Sequence, residues 1–188
     1  MFLAFCPLAA AGNDMDVTVT RGAHGSHVLH GEFSVDAPVD VVWETLTDYD
    51  GMGRFVSSVV ESHLRPGPVV EQRMAGALGP FRREIVLTLA IDESPKTRIN
   101  FEDVSRHSFS HYRGSWQIHG SEGRVTVLYD LEATPTFFAP AILVNSAFRR
   151  SVATLLEEVR RETIRRTAER LAATRTSLPN LNPPLTRN

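Results

Sequence analysis

The sequence is poor in cysteine and lysine, and it has no long apolar run. Cys6 is the only cysteine, which excludes a disulfide framework and a zinc site built from several thiolates. Lys96 is the only lysine, and the formal net charge of -2 offers no basic surface to nucleic-acid phosphates, so no nucleic-acid partner is expected. No apolar stretch approaches the roughly 20 residues that span a bilayer. Hydrophobic residues still make up 42% of the chain, enough for a globular core.

The 188 residues suit one domain with short flanking segments. Residues 1–12 (MFLAFCPLAAAG) are apolar and end in small residues, like the hydrophobic region and cleavage site of a secretory signal, although the usual basic residues before them are missing. We therefore expect a periplasmic or secreted protein, with a cytoplasmic location as the alternative. Residues 13–26 are expected to form an N-terminal arm with room for a short extra strand, and residues 174–188 a disordered tail.

Turn residues divide the chain between residues 27 and 134 into runs of alternating apolar and polar residues. This period of two predicts strands with one buried face, and tight turns between consecutive strands predict an antiparallel sheet. Pro38 and the apolar spacing after it predict a helix over residues 39–47, and a second short helix follows the turn at Asp48–Gly51. The predicted strands cover residues 27–35, 59–64, 69–77, 81–91, 98–104, 108–119 and 124–134.

A long helix is predicted over residues 141–173, because apolar residues such as Val144, Phe148 and Val152 recur there at helical spacing. The apolar face of a sheet needs a second layer, and this helix is long enough to supply it. We therefore predict an α+β fold, a curved antiparallel sheet of about seven strands wrapped around the long C-terminal helix, with two short helices after the first strand. The domain is expected over residues 27–173, as a monomer.

Three stretches resemble a known superfamily. They are Phe33–Phe55 (FSVDAPVDVVWETLTDYDGMGRF), Gly114–Ile118 (GSWQI) and the terminal helix. Over about residues 27–171 the chain is similar to the START/Bet v 1-like (SRPBCC) superfamily, and within it to the polyketide cyclase/dehydrase and coenzyme-Q-binding-protein branch. The resemblance implies a helix-grip fold, with a cavity between sheet and helix that takes lipids, quinones or polyketides. It does not imply catalysis, since the fold hosts several functions.

Strand parity and helical spacing indicate which residues would line such a cavity. A ligand pocket is mostly apolar with a few placed polar groups. Three aromatic residues on the last two strands would supply those groups, and the alternative is that they are ordinary core residues. The predicted lining residues are Tyr112, Trp116, Val127, Tyr129, Phe148, Val152, Leu155 and Arg83.

Arg83 is the one charged residue in that set. It shares strand parity with Ile85 and Leu87, so we expect it to be able to anchor a ligand's carbonyl or carboxylate. The alternative is that its head group reaches water, because it lies near the start of its strand and long side chains often bury only their stems.

No residue pattern indicates a metal, a cofactor or a catalytic set. His24, His27 and His30 are spaced by three, but the strand pattern keeps them from the close tetrahedral arrangement that zinc needs. Asp48 and Asp50 are explained by a turn, with Arg54 as an ion-pair partner for one of them. No nucleophile elbow, phosphate loop or dinucleotide fingerprint occurs, so we expect no cofactor.

The terminal helix carries many arginines interleaved with glutamates. The favoured interpretation is a solvated face with ion pairs such as Glu157–Arg161 and Glu162–Arg166, and the alternative is transient contact with an anionic membrane surface.

Three functions remain open. The first is binding or carrying a hydrophobic small molecule, such as a lipid, quinone or polyketide-like compound. The second is a cyclase or dehydratase that holds a polyketide-like substrate in its folded shape, with Tyr112, Tyr129 or Arg83 as proton donors or electrophiles. The third is an interaction or stress module without a ligand, which a small, filled cavity would favour. The sequence favours the first function, the binding or carrying of a ligand, over the second, an enzyme.

Overall fold

The computed structural model describes residues 15–78, 81–120, 123–137 and 141–177. Within these ranges the chain forms eight strands, two α-helices and two single-turn 3-10 helices, Ala23–Gly25 and Met52–Arg54. The strands are β1 (Met15–Arg21), β2 (His27–Val35), β3 (Val59–Arg65), β4 (Val69–Leu78), β5 (Phe81–Ser94), β6 (Arg98–Asp103), β7 (Phe109–Gly120) and β8 (Val125–Pro135). The α-helices are α1 (Val39–Leu46) and α2 (Ala141–Ser177).

All eight strands belong to one antiparallel sheet with the order β1-β2-β8-β7-β6-β5-β4-β3. After β2 the chain crosses through α1 to the far edge at β3, and then returns strand by strand until β8 pairs with β2. The predicted α+β helix-grip fold is confirmed. The prediction of about seven strands becomes eight, because the expected extra strand of the arm is β1, paired with β2 from Met15 opposite Phe33 to Arg21 opposite His27.

Helix α2 lies across β1 and β2 and also contacts α1 and β4. Gly31 on β2 allows this close approach, because a β-carbon there would lie 2.7 Å from Cδ1 of Leu156 and 3.3 Å from Cγ1 of Val152. The helix continues to Ser177, so residues 174–177, which the sequence assigned to the tail, are helical. Residues 1–12 and 178–188, the predicted signal and most of the predicted tail, lie outside the described residues.

The inner face of the sheet and the facing sides of α1 and α2 form one apolar core. The alternation is regular on β2 and β8, where every second side chain is buried. Phe33, Leu29, Leu87 and Leu156 are at most 1% exposed. Burial of each such side chain stabilises the fold by roughly 1.5–3 kcal/mol. This core keeps α2 packed against the sheet.

Ion pairs join α2 to the segment around α1. Arg166 donates to Asp48 at 2.6 Å and to Glu162 at 2.7 Å, and the predicted pair between Asp48 and Arg54 is present at 3.1 Å. The predicted Glu162–Arg166 pair is thus confirmed. The predicted partner of Glu157 is wrong, since it lies 3.9 Å from Arg160, one residue earlier on the helix, rather than pairing with Arg161. Of the helices within the described ranges, none combines the length and the apolar character needed to cross a bilayer.

Candidate functional site

A small cavity of about 70 Å³ lies between the inner face of the sheet, α2, and the segment that runs from α1 to β3. Eight elements (α1, α2 and β3 to β8) and the α1–β3 connection contribute to its wall, so the cavity is at the centre of the fold. Its lining residues are Thr45, Leu46, Tyr49, Met52, Val56, Val59, Val70, Gln72, Met74, Leu89, Ile91, Ile99, Phe101, Tyr112, Trp116, Tyr129, Leu155 and Val159.

Four aromatic rings from β6, β7 and β8 form one wall of this cavity. Trp116 is directly opposite Tyr129 in the β7–β8 register, with ring centroids 4.4 Å apart. The Phe101 ring lies 6.1 Å from that of Tyr129 and 6.0 Å from that of Tyr112. Phe101 has this room because its partner across β6 and β7 is Gly114, which has no side chain. The spacings fall in the range of favourable aromatic pairs.

The hydroxyl groups of Tyr112 and Tyr129 interact with each other. Burial raises the pKa of Tyr112 to about 12, although the interaction with the Tyr129 hydroxyl acts in the opposite direction. Burial also raises the pKa of Tyr129, and the neighbouring hydroxyl of Tyr112 adds to this shift. Both side chains are therefore neutral hydrogen-bonding groups throughout the physiological pH range.

A second polar group enters the cavity from β4. Gln72 is only 8% exposed, and its Nε2 donates to Oγ of Ser62 and to Sδ of Met52, both at 3.2 Å. Within the described part of the chain, no donor satisfies its Oε1. A glutamine carbonyl oxygen is thus available as an acceptor on the side of the cavity formed by β4.

Tyr49 stands between the cavity and a surface concavity of about 380 Å³, since it lines both. Its hydroxyl donates to Oε1 of Glu93 at 2.6 Å. Burial, followed by the hydrogen bond and the charge of Glu93, raises the pKa of Tyr49 well above its ordinary value. This hydrogen bond fixes the Tyr49 side chain at the place where the inner cavity and the surface concavity adjoin.

The structure brings together four of the eight predicted lining residues: Tyr112, Trp116, Tyr129 and Leu155 all line the cavity. Val127 and Val152 are buried and Phe148 is half-buried in the surrounding core, beside the cavity rather than on its wall. Whether these residues contact a ligand stays a prediction.

Arg83 lies apart from the cavity. Its guanidinium group is exposed and sits 4.4 Å from the ring centroid of Phe137, because β5 extends past the end of the core before Ile85 is reached. The strand parity proposed for Arg83 is compatible with this position, but its head group lies at the surface and Arg83 is not among the residues that line the cavity.

The sequence pattern did not indicate the contributions of α1, β3, β4 and β6 to the cavity, nor those of Leu89 and Ile91 on β5. Gln72 carried a usable signal, since it shares strand parity with Val70 and Met74 and is a polar residue on an apolar face. For Tyr49 and Met52, the local sequence pattern indicates only a turn followed by a short helix. Their approach to β4 and β5 depends on the crossover after β2, which local patterns do not reveal.

A larger, open concavity of about 520 Å³ lies on the outer face of the sheet. It is lined by outward-facing polar residues of β5 to β8, among them Asp92, Glu102, Arg113 and Asp130. Several of its charged groups already have partners: Asp130 contacts His30 and Gln117, and Arg113 pairs with Glu132. Among the described residues, no group of three or more metal-ligating side chains is close enough to hold an ion.

An antiparallel sheet gripping a long C-terminal helix around an apolar cavity defines a START-like protein. The sequence profile of the family described as "polyketide cyclase / dehydrase and lipid transport" matches residues 26–174, and the chain belongs to this family. Among curated proteins, no sequence matches the chain.

Solved structures with this fold include proteins from bacteria and humans. The aromatase/cyclase Zhui from Streptomyces sp. R1128 is 14% identical, with a TM-score of 0.62 over 75% of this chain and 95% of its own. A STAR-related lipid transfer protein from Xanthomonas axonopodis is 20% identical, with a TM-score of 0.62 over 82% of this chain and 96% of its own. Human StAR-related lipid transfer protein 5 is 13% identical, with a TM-score of 0.64 over 82% of this chain and 84% of its own. At these identities the likeness establishes the fold.

Proposed function

We propose that this protein binds and carries a hydrophobic small molecule, of the lipid, quinone or polyketide-like class, in the cavity between the sheet and α2. The observation that carries the proposal is the composition of the cavity wall, in which aliphatic side chains and four aromatic rings surround a few neutral polar groups. Ligand sites in proteins have this composition. Membership in a family described by cyclase, dehydrase and lipid-transport activities supports it.

The cavity must enlarge to accept such a ligand. Its volume of about 70 Å³ is below the roughly 150 Å³ in which an engineered apolar cavity holds benzene. The wall contains Met52 and Met74, whose unbranched side chains repack easily. Tyr49 is held by one hydrogen bond to Glu93. We therefore assign the described conformation to a closed, ligand-free state that opens at Tyr49.

Native mass spectrometry of protein purified from its host tests this proposal. A greasy molecule that co-purifies, and is released by organic solvent, is the expected result. Leu155→Trp should abolish it, because the added ring fills the cavity. Leu171→Trp is the matched control, since Leu171 is 56% exposed on the same helix and should leave the ligand in place. Repeated ligand-free preparations that also fail to bind added lipids and quinones would overturn the proposal and favour a ligand-free module.

The enzyme alternative draws little support from the cavity chemistry. A general acid or base works best with a pKa near the operating pH, whereas the pKa of Tyr112 is raised to about 12 by burial. Of the residues that the structure describes, no histidine or carboxylate lines the cavity. The tyrosines are suited to hold a carbonyl oxygen, which is a binding task.

We also propose a transient contact between the α2 start and an anionic membrane surface. Ile142 is 75% exposed and Leu143 is 45% exposed on the first turn of α2. Arg149 and Arg150, about two turns further along α2, are exposed, and the described residues offer them no carboxylate partner, in contrast to Arg165, Arg166 and Arg170 near the far end of the helix. Exposed apolar residues flanked by free arginines suit the interface of a bilayer with anionic lipids.

Vesicle flotation tests the membrane proposal. The protein should float with vesicles that contain phosphatidylglycerol and remain unbound with phosphatidylcholine alone. Arg149→Glu with Arg150→Glu should abolish flotation, and Arg161→Glu with Arg175→Glu, the same charge change further along α2, should retain it. Equal loss in both double variants, or no flotation of the unaltered protein, refutes the proposed surface.

Export of the protein remains a further proposal, supported by the apolar residues 1–12. Mass determination of the protein's N-terminus in its host tests it. A cleaved N-terminus in the periplasm or medium is expected, and an intact Met1 in the cytoplasm refutes it.

A further inference from the structure

Among the described residues, the cavity wall carries no formal charge. All 18 of the lining residues are apolar, aromatic or neutral polar side chains. Two carboxylates that interact with lining tyrosines, Glu93 and Asp103, already accept hydrogen bonds. Glu93 accepts the hydrogen bond of Tyr49 outside the lining, and Asp103 accepts hydrogen bonds from the backbone N–H groups of Thr88, Ser105 and Arg106.

An uncharged wall discriminates strongly against a charged ligand atom. Moving a carboxylate or phosphate from water into such a cavity forfeits its hydration, at a penalty of several kcal/mol per ion even after relaxation, unless a counter-charge is present. Arg83, which the sequence suggested as an anchor for a carboxylate, lies at the surface against Phe137. No other cation lines the cavity, so the described residues provide no counter-charge for an anion.

The neutral polar groups of the wall are complementary in hydrogen bonding. Tyr112 and Tyr129 both line the cavity and their hydroxyl groups interact. A hydrogen bond between two hydroxyls uses only one of their two protons, so the other is free to donate to a ligand oxygen. The Nε2 atom of Gln72 donates hydrogen bonds to Ser62 and Met52, so its Oε1 remains available as an acceptor. One side of the cavity therefore offers a donor and another an acceptor.

The aromatic wall favours a flat ligand. The rings of Phe101, Tyr112, Trp116 and Tyr129 follow one another at 4.4–6.1 Å. A ligand ring stacked on this wall gains dispersion and quadrupole interactions that a flexible acyl chain gains less well.

We infer that the ligand of this cavity is a neutral ring compound that bears a carbonyl or hydroxyl oxygen, and that fatty acids and other anions are excluded. This inference rests on the proposed function, because it names the ligand class of the same cavity. It narrows that proposal to quinone- or phenol-like molecules and uncharged polyketide-like rings.

A matched pair of ligands tests whether the cavity excludes anions. 2-Acetylnaphthalene and 2-naphthoate have nearly the same shape, but only the second is an anion at pH 7. Titration followed by tryptophan fluorescence and calorimetry should give at least tenfold tighter binding of the ketone. Binding of naphthoate should strengthen as the pH falls through the pKa of the ligand itself. Equal or tighter binding of the anion at pH 7 overturns the inference and leaves the carrier proposal intact. Failure of both ligands, together with ligand-free protein from the host and no binding of lipids or quinones, overturns both.

A variant tests the hydrogen-bond donor. The double variant Tyr112→Phe with Tyr129→Phe keeps both rings and removes both hydroxyls. It should weaken the binding of 2-acetylnaphthalene about five- to tenfold and leave the affinity for naphthalene, which has no oxygen, within about twofold. Thermal melting confirms that the variant is folded. Equal weakening of both ligands would assign the two tyrosines a packing role and overturn this part of the inference. Gln72→Leu, tested with 2-naphthol against naphthalene, examines the acceptor in the same way.

Discussion

Trp116 on β7 and Tyr129 on β8 face each other in the antiparallel register, and their rings are 4.4 Å apart on the wall of the central cavity. Trp116 is 9% exposed, so its fluorescence reports on this cavity. We expect a quinone to quench the emission of Trp116 on binding, because the ligand ring must stack on the same wall.

The chain has one other tryptophan, Trp43 on α1, which lies outside the cavity lining. Trp43→Phe should therefore preserve the quenching and make it a larger fraction of the total signal. Trp116→Phe should remove it. If quenching survives in Trp116→Phe, the ligand binds elsewhere and the assigned cavity is wrong.

The placement of Trp116 and Tyr129 could be predicted because it depends on local geometry. In a strand, successive side chains alternate between faces, so one buried residue fixes the direction of its neighbours at even spacing. The same reasoning placed Leu155 on the inner side of α2, since helical spacing fixes which residues share a face. Tight turns fixed the antiparallel order of β3 to β8.

Gln72, Tyr49 and Arg83 show where local reasoning ends. Strand parity places Gln72 on the inner face with Val70 and Met74, but parity does not show that its amide meets Met52 and Ser62, which are 20 and 10 positions away. Tyr49 meets Glu93 across 44 positions, a contact set by the crossover from β2 to the far edge. Arg83 has inward parity, but the core does not extend to its end of β5. Strand parity predicts which face of the sheet a side chain is on. Whether that side chain contacts the core depends also on how far the core extends along the strand.

The hydrogen bond between Tyr49 and Glu93 predicts a kinetic effect. Tyr49→Phe removes it while keeping the ring, so the partition between cavity and surface should open more often. We expect association and dissociation of a quinone to accelerate together by about tenfold or more, since a hydrogen bond to a charged group contributes about 1.5–3 kcal/mol. The equilibrium affinity should change little. Stopped-flow fluorescence measures both rates. A change in the dissociation rate alone would show that Tyr49 contacts the bound ligand and does not control access to the cavity.

Glu162 is expected to stabilise the junction of α2 with α1. Its side chain is 10% exposed and accepts hydrogen bonds from Arg165 and Arg166. Glu162→Gln should lower the free energy of unfolding at pH 7 by about 1–2 kcal/mol, because Arg166 then keeps only Asp48 as a charged partner. Urea unfolding measures the change. Glu169→Gln is the control, since its side chain is 64% exposed beside the same Arg165 and should have no measurable effect.

The same ion pairs predict how stability depends on pH. The hydrogen bond from Arg165, followed by that from Arg166, lowers the pKa of Glu162 to about 2 from an ordinary 4.5. A carboxyl whose pKa is lower in the folded than in the unfolded protein stabilises the fold above its unfolded pKa. That contribution is lost as the pH falls from about 4.5 towards 2. The stability difference between the unaltered protein and Glu162→Gln should therefore shrink across this range, and a constant difference would contradict the assignment.

Gly114 is expected to be the least replaceable glycine of the sheet. A β-carbon at this position would overlap the backbone carbonyl oxygen of Asp130 and lie 2.6 Å from Cζ of Phe101. The Phe101 ring could move only by giving up its contacts with Tyr112 and Tyr129, and the backbone of β8 is held by its ladder on both sides. Gly114→Ala should destabilise the protein by about 2–3 kcal/mol or more.

Thermal and urea unfolding of Gly114→Ala measure this effect, and Gly53→Ala is the control. At Gly53 the nearest neighbour of an added β-carbon is a carbonyl oxygen at 3.4 Å, an ordinary contact, so the change should stay within about 1 kcal/mol. The Gly114 variant should also lose quinone quenching, because displacement of Phe101 disturbs the aromatic wall while Trp116 remains in place. A stable Gly114→Ala protein with unchanged quenching would mean that β7 and β8 can separate locally, and that the wall is less rigid than its ring spacings imply.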